Sequence, residues 1–189
     1  MIYLANKVTR YMVKNNIIFD EDVYLYGFAI ILNYALGCFT ILLISFWLGK
    51  FAEGILYILF FGYIREYAGG YHASSYLACY LSFVFLYGVG LFMVNLNIQV
   101  LELIGFISAI LLIFLCPVEH PNKPLSKNEI EVYREKNAER VLLSIVVALV
   151  LNLIQMELSK MIYIVFSFSF LLAMIQLKLN SQSTRKGIS

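Results

Sequence analysis

Few residues in this chain can do covalent chemistry, and two of them sit seven positions apart. His72 and Cys79 lie in the stretch Arg65-Glu66-Tyr67-Ala68-Gly69-Gly70-Tyr71-His72-Ala73-Ser74-Ser75-Tyr76-Leu77-Ala78-Cys79, which holds one of two histidines and one of three cysteines. A thiolate is a strong nucleophile, and an imidazole is the side chain suited to generate one near neutral pH. Ser74 or Ser75 is suited to cap a helix starting at Tyr76. That leaves Cys79 about one turn inside, near the positive end of the helix dipole, where a thiol ionises more readily. An unbroken helix over 72–79 would place both side chains on one face but about 10.5 Å apart. A nucleophile and its base must come within about 3 Å. The chain must therefore reverse before Tyr76, and Gly69-Gly70 with Ser74-Ser75 are residues that permit it. The spacing by itself also fits an interfacial histidine beside an unreactive helix cysteine. Arg65-Glu66 alone fit the polar end of an apolar helix.

The elements that position this stretch belong in a membrane. Hydrophobic residues make up 61% of the 189 residues and charged ones 14%, against roughly 45–50% and about 25% in ordinary globular proteins. So much apolar side chain has no place in a soluble domain of this size, and disorder is excluded by the same figures. A net charge of +2 leaves no concentrated basic surface for nucleic acid. Cys38 and Cys116 lie inside apolar runs and read as buried hydrophobes. No CxxC or clustered His/Cys spacing marks a disulfide framework or a metal site, and no cofactor motif is present.

Apolar runs cover 27–48, 51–64, 76–94, 98–118, 141–154 and 161–177. A spanning helix needs about 20 apolar residues. Four runs meet that directly, while 51–64 and 141–154 reach it with polar flanks or local bilayer thinning. Six spans put twelve of the 14 Lys and Arg residues on one side and only Lys50 and Lys160 on the other. The positive-inside rule then makes both termini cytoplasmic. The fold expected is an all-α integral membrane protein, one polytopic domain over 1–189. Within it, 65–75 forms a cytoplasmic catalytic loop that holds His72 and leads to Cys79, and 119–140 a cytoplasmic charged loop. At the start, Leu4, Val8, Tyr11 and Met12 share one helical face and Lys7, Arg10 and Lys14 the other. Residues 1–22 thus read as an interfacial amphipathic helix, not a signal peptide.

The stretch 119–140 carries five basic and five acidic residues. Pro117, Pro121 and Pro124 punctuate its start, and charges interleave at helical spacing from Asn128 to Arg140. It reads as a solvated helical face, or as a docking platform for a charged partner. Glu102 lies near the outer end of its helix and reads as structural. Asn33 is placed to bond between helices, and His120 sits in a loop.

The stretch R-E-Y-A-G-G-Y-H-A-S-S-Y-L-A-C resembles the signature of the AgrB family, the membrane peptidases of Gram-positive quorum sensing. In that pattern Arg, Ala, Gly and His stand at fixed offsets, with Cys seven residues after the His. His72 and Cys79 fall on the family's catalytic pair, and Arg65 and Gly70 on positions the family also needs. The length, basic N-terminus, six apolar segments and cytoplasmic P-N-K-P-L segment are similar as well. Glu66 and Gly69 stand where some members carry Arg and His, and Lys123-Pro124 replaces a lysine run.

The resemblance implies a reaction. An AgrD-like propeptide, held at the inner face of the bilayer, loses its acidic C-terminal tail and is closed into a thiolactone or lactone through a Cys79 thioester. His72 is the implied base. Arg65 either steadies the oxyanion or holds the acidic tail, and no third orienting residue is visible in the sequence. The resemblance also implies a homodimer in the plasma membrane of a Gram-positive bacterium. A peptide exporter would carry polar residues at mid-membrane and repeat symmetry between halves, and neither is seen. A scaffold without chemistry leaves the His72/Cys79 arrangement without a reason.

Overall fold

The computed structural model describes residue 7 and residues 21–71, 73, 75–96, 100–119, 125–154 and 157–186, with backbone alone at 21–23, 26 and 184–186. Among these, six helices form: α1 (Glu21–Trp47), α2 (Phe51–Ala68), α3 (Tyr76–Asn95), α4 (Val100–Leu115), α5 (Lys127–Leu153) and α6 (Ser159–Lys186). Each apolar run supplies the body of one helix. Three helical stretches are long and apolar enough to cross a membrane: Gly27–Trp47, Tyr76–Asn95 and Ser159–Ser183. Nearly all of the expected interfacial helix over 1–22 lies outside the described residues, as do His120, Pro121, Lys123 and Pro124.

Helix ends depart from the apolar runs for local reasons. The run 98–118 yields a helix of only 16 residues, Val100–Leu115. Pro117 has no N–H and disfavours helical backbone at the residue before it. The Cys116 N–H closes the last turn on the Leu112 carbonyl at 3.1 Å. In α5 the charged residues from 127 and the apolar run that follows make one continuous helix. Its start is a capping box. The Ser126 hydroxyl accepts from the Glu129 N–H at 3.3 Å, and the Glu129 carboxylate accepts from the Ser126 N–H at 2.8 Å. Such a cap stabilises a helix by about 1 kcal/mol.

Contacts between helices give their directions. Thr40 and Ser45 of α1 bond Tyr80 and Tyr87 of α3, in the same order along each helix. Asn137 of α5 bonds the Leu112 carbonyl of α4, and Asn152 of α5 bonds Glu102 at the other end, in opposite order. α1 and α3 therefore run parallel, and α4 and α5 antiparallel. The C-terminal ends of α2, α4 and α6 meet the N-terminal ends of α3 and α5 at one end of the bundle.

α6 sits at the centre, packed against α2, α3, α4 and α5. All six residues 161–166 are buried, and six consecutive helical residues cover every face of a helix, the pattern of a core helix. Gly105 of α4 lies where a side chain would collide with Tyr163 of α6. Beside this core, the rings of Tyr34, Tyr57, Phe61, Phe83 and Tyr87 of α1–α3 pack together, mostly tilted, with centroids 5.2–5.6 Å apart. Outer faces stay apolar: Trp47 is 89% exposed, Phe114 75% and Leu153 82%. Exposed apolar surface on that scale marks a lipid-facing protein.

Candidate functional site

The expected break before Tyr76 is present, and it begins at Gly69. α2 carries Arg65 to Ala68 in its last turn, beyond the apolar run that ends at 64. Gly69 and Gly70 then take φ of 68° and 97°, a region closed to most side chains. Gly70 has no room either, since a Cβ there would stand 2.6 Å from Arg65 Nη1 and 3.0 Å from the Ala173 Cα. The turn is fastened to two other elements. Gly70 N–H donates to the Val118 carbonyl, Val118 N–H to the Ala68 carbonyl, and Tyr71 N–H to the Leu172 carbonyl of α6, each at 3.0 Å. The segment just after α4 thereby runs beside the segment just after α2 as an isolated parallel bridge at Gly69 and Val118.

Arg65 holds this turn from beneath. Its Nη1 donates to the Gly69 carbonyl and its Nη2 to the Tyr71 carbonyl, the latter at 2.7 Å. The guanidinium also lies 5.9 Å from the Phe61 ring centroid. Its charge acts on the sulfurs of both Cys79 and Cys116. Two of the four residues singled out from the sequence, Arg65 and Gly70, are thus in direct contact, and a third, Cys79, is within electrostatic reach. The fourth, His72, lies outside the described residues.

Cys79 is half-buried and free. Of the two serines suited to cap its helix, Ser75 does so: its hydroxyl accepts from the Ala78 N–H at 3.2 Å. The Cys79 N–H then closes the first turn on the Ser75 carbonyl at 3.0 Å. The nucleophile candidate therefore stands on rigid helix, one turn from its positive end.

Glu66, next to Arg65 in sequence, points elsewhere. Its carboxylate accepts from Arg140 of α5 at 2.6 Å. Arg140 also donates to the Tyr63 carbonyl at 2.8 Å and lies over the rings of Tyr63 and Tyr67, 4.4 and 4.2 Å from their centroids. Glu66 is 60% exposed and Arg140 only 17%. Exposed ion pairs contribute about 0.2–1 kcal/mol, and buried cation–π contacts about 2. Glu66→Gln is thus expected to cost less than about 1 kcal/mol, and Arg140→Ala about 2 kcal/mol or more. Thermal unfolding of the two purified variants in one detergent checks that order.

Several residues at this end escaped the sequence reading. Asn137 is fully buried in α5, and its Nδ2 donates to the Leu112 carbonyl at 3.0 Å, satisfying the end of α4. Asn180 of α6 donates to the Glu119 carbonyl at 3.0 Å, and Gln176 donates to Asn180 at 2.8 Å. For Gln176 the signal that could have found it is an uncharged amide with Leu172, Ala173 and Leu179 one turn away, whereas Asn137 has Arg134 and Arg140 and Asn180 has Ser183 and Thr184 at those positions. In a bilayer such groups face the bundle interior.

The arrangement can support acyl transfer at Cys79: a thiol on the first turn of a capped helix, a guanidinium whose charge bears on its sulfur, and a fastened turn that precedes His72 in the sequence. No curated protein and no solved structure matches the chain. The family model for accessory gene regulator B matches residues 5–177, nearly the whole length, and the chain belongs to that family.

Proposed function

We propose that this protein is a membrane cysteine endopeptidase that removes the C-terminal tail of an AgrD-like propeptide and closes the remainder into a thiolactone or lactone ring. Family membership carries a role in processing a quorum-sensing peptide. The observation that supports the finer reading is Cys79 on the first turn of α3, beside a turn that Arg65 and α6 hold in place. In this reading the catalytic residues are His72 and Cys79, and Arg65 and Gly70 support them.

His72 takes the Cys79 proton, and the thiolate attacks the scissile carbonyl. The C–N bond breaks, the imidazolium returns its proton to the leaving amine, and the tail departs. The thioester left on Cys79 is then attacked by the propeptide's own thiol or hydroxyl. That bond closes the ring and releases Cys79. Exchange of one thioester for another needs little driving force but requires that water be kept out. Arg65 serves by holding the Gly69 and Tyr71 carbonyls, so that the turn ahead of His72 keeps one shape.

The setting we infer is a plasma membrane crossed six times, with the 1–22 helix in the interface, both termini cytoplasmic and the chain paired as a homodimer. Lys50 and Lys160, the two basic residues assigned to the outer side, each pair with a glutamate, at 3.0 and 3.3 Å. They lie at the bundle end opposite Arg65, Arg140 and Lys178, which fits the positive-inside rule. Residues 65–75 and 119–140 then face the cytoplasm.

The test is co-expression of wild type, Cys79→Ser and His72→Ala with the cognate propeptide, following the free tail by mass spectrometry. Tail release by wild type alone is the expected outcome. Release by both variants would end the peptidase reading.

A further inference from the structure

Gln176 is an amide in the buried face of α6, 2% exposed, and its Oε1 has no hydrogen-bond partner among the described residues. Its orientation follows from its neighbours. The Glu119 carbonyl can only accept, so Asn180 presents Nδ2 to it, at 3.0 Å. Asn180 then offers Oδ1 to Gln176, which must answer with Nε2, at 2.8 Å. The Gln176 Oε1 is thereby turned away from Asn180.

Its place on α6 is equally defined. Tyr71 donates to the Leu172 carbonyl, and Gly70 lies against Ala173. Gln176 follows on the same face one turn later. Side chains in a helix lean toward its N-terminus, so this carboxamide covers the turn of α6 on which the 69–71 segment sits. The main-chain donors of that segment are already committed: Gly69 to the Arg65 carbonyl, Gly70 to Val118 and Tyr71 to Leu172. A buried acceptor left without a donor is costly, and folded proteins keep few of them.

We propose that Gln176 is a substrate-binding residue, whose Oε1 accepts a main-chain N–H of the propeptide where the 69–71 turn meets α6. This rests on the peptidase reading. A peptide chain brings an N–H at nearly every residue, and each needs a partner once removed from water. A neutral acceptor meets that need without burying a charge, and a dry site strengthens the bond it makes. Asn180 is the positioning residue that keeps Oε1 turned toward the substrate side.

The test uses full-length protein in liposomes carrying Cys79→Ala, so that binding is read without turnover. The probes are synthetic propeptide and analogues N-methylated at single positions around the scissile bond. Gln176→Leu is expected to weaken propeptide binding about three- to tenfold, with a Tm close to that of the parent, because removal of the unpartnered acceptor offsets the lost bond from Nε2 to Asn180. One N-methylation that weakens binding to the Gln176 protein should have no effect on the Leu variant. Should Gln176→Leu fail to fold, Gln176→Met is measured the same way. Equal affinity in both proteins, a loss that tracks a fall in Tm, or identical N-methylation profiles would each overturn the proposal. Catalytically intact wild type is run in parallel. If it cleaves propeptide while the Gln176 comparison fails, only the Gln176 role is lost; absence of both cleavage and binding removes the peptidase reading itself.

Discussion

Cys79→Ser lowers tail release by on the order of 10³-fold or more, the loss expected when a covalent nucleophile is disabled. The substitution is nearly isosteric, and the helix that carries it is fixed by Ser75 and by the first-turn bond from the Cys79 N–H to the Ser75 carbonyl. Backbone and cap survive, so the change reads out nucleophilicity alone. A serine hydroxyl stays protonated where a thiol ionises, and a lone imidazole activates it poorly. The other two cysteines provide the comparison. Cys38 is half-buried on α1, and Cys116 is 1% exposed within the core. Cys38→Ser and Cys116→Ala should retain tail release per folded molecule, whatever Cys116→Ala costs in stability. The measurement is tail released per unit of correctly inserted enzyme, quantified by mass spectrometry.

Arg65→Ala is the second large effect, expected to lower tail release by about 10²-fold. Its two hydrogen bonds go to carbonyls two residues apart, Gly69 and Tyr71. Hydrogen bonds from a charged donor are worth about 1.5–3 kcal/mol each, and their loss leaves two acceptors in a half-buried turn. Glycine backbones such as those of Gly69 and Gly70 are free to take other shapes, and the bonds to Val118 and Leu172 hold the turn only through the Gly70 and Tyr71 N–H groups, leaving the Gly69 and Tyr71 carbonyls to Arg65. Lysine should recover little, because a single ammonium cannot reproduce a planar fork on two separate oxygens. The pattern of the loss separates this role from the two open in the sequence. An arginine that gripped the acidic tail would show its loss mainly in KM, and tail-shortened substrate would be insensitive. A turn-holding arginine lowers kcat for both substrates.

Much of this end of the molecule was legible before any coordinates. Two serines ahead of an apolar run announced the α3 cap, and two glycines nine and ten residues before Cys79 announced the break, because both are local backbone effects. Hydropathy located six helical bodies but not their ends. It reports where lipid stops, whereas a helix stops where backbone chemistry requires. Hence α2 continues through the polar Arg65-Glu66 to Ala68, and α4 halts at Leu115 before Pro117. Contacts between distant segments left no trace in the sequence. The Val118 carbonyl that receives Gly70, and Arg140 reaching 74 residues back to Glu66, depend on how helices pack. In a chain apolar on every face, periodicity says little about packing. The amides of α5 and α6 bear no charge to set them apart in a sequence, although the bilayer makes any buried polar group informative.

Whether Cys79 carries the acyl group is read directly from a trapped intermediate. A propeptide whose ring-closing Cys or Ser is replaced by Ala can still acylate the enzyme but cannot leave by cyclisation. Co-expressed with wild-type enzyme, it should accumulate as a hydroxylamine-sensitive thioester, and digestion with mass spectrometry should map the added mass to the fragment containing Cys79. Tail release with the adduct on Cys38 or Cys116, or with no adduct on any cysteine, would contradict the account.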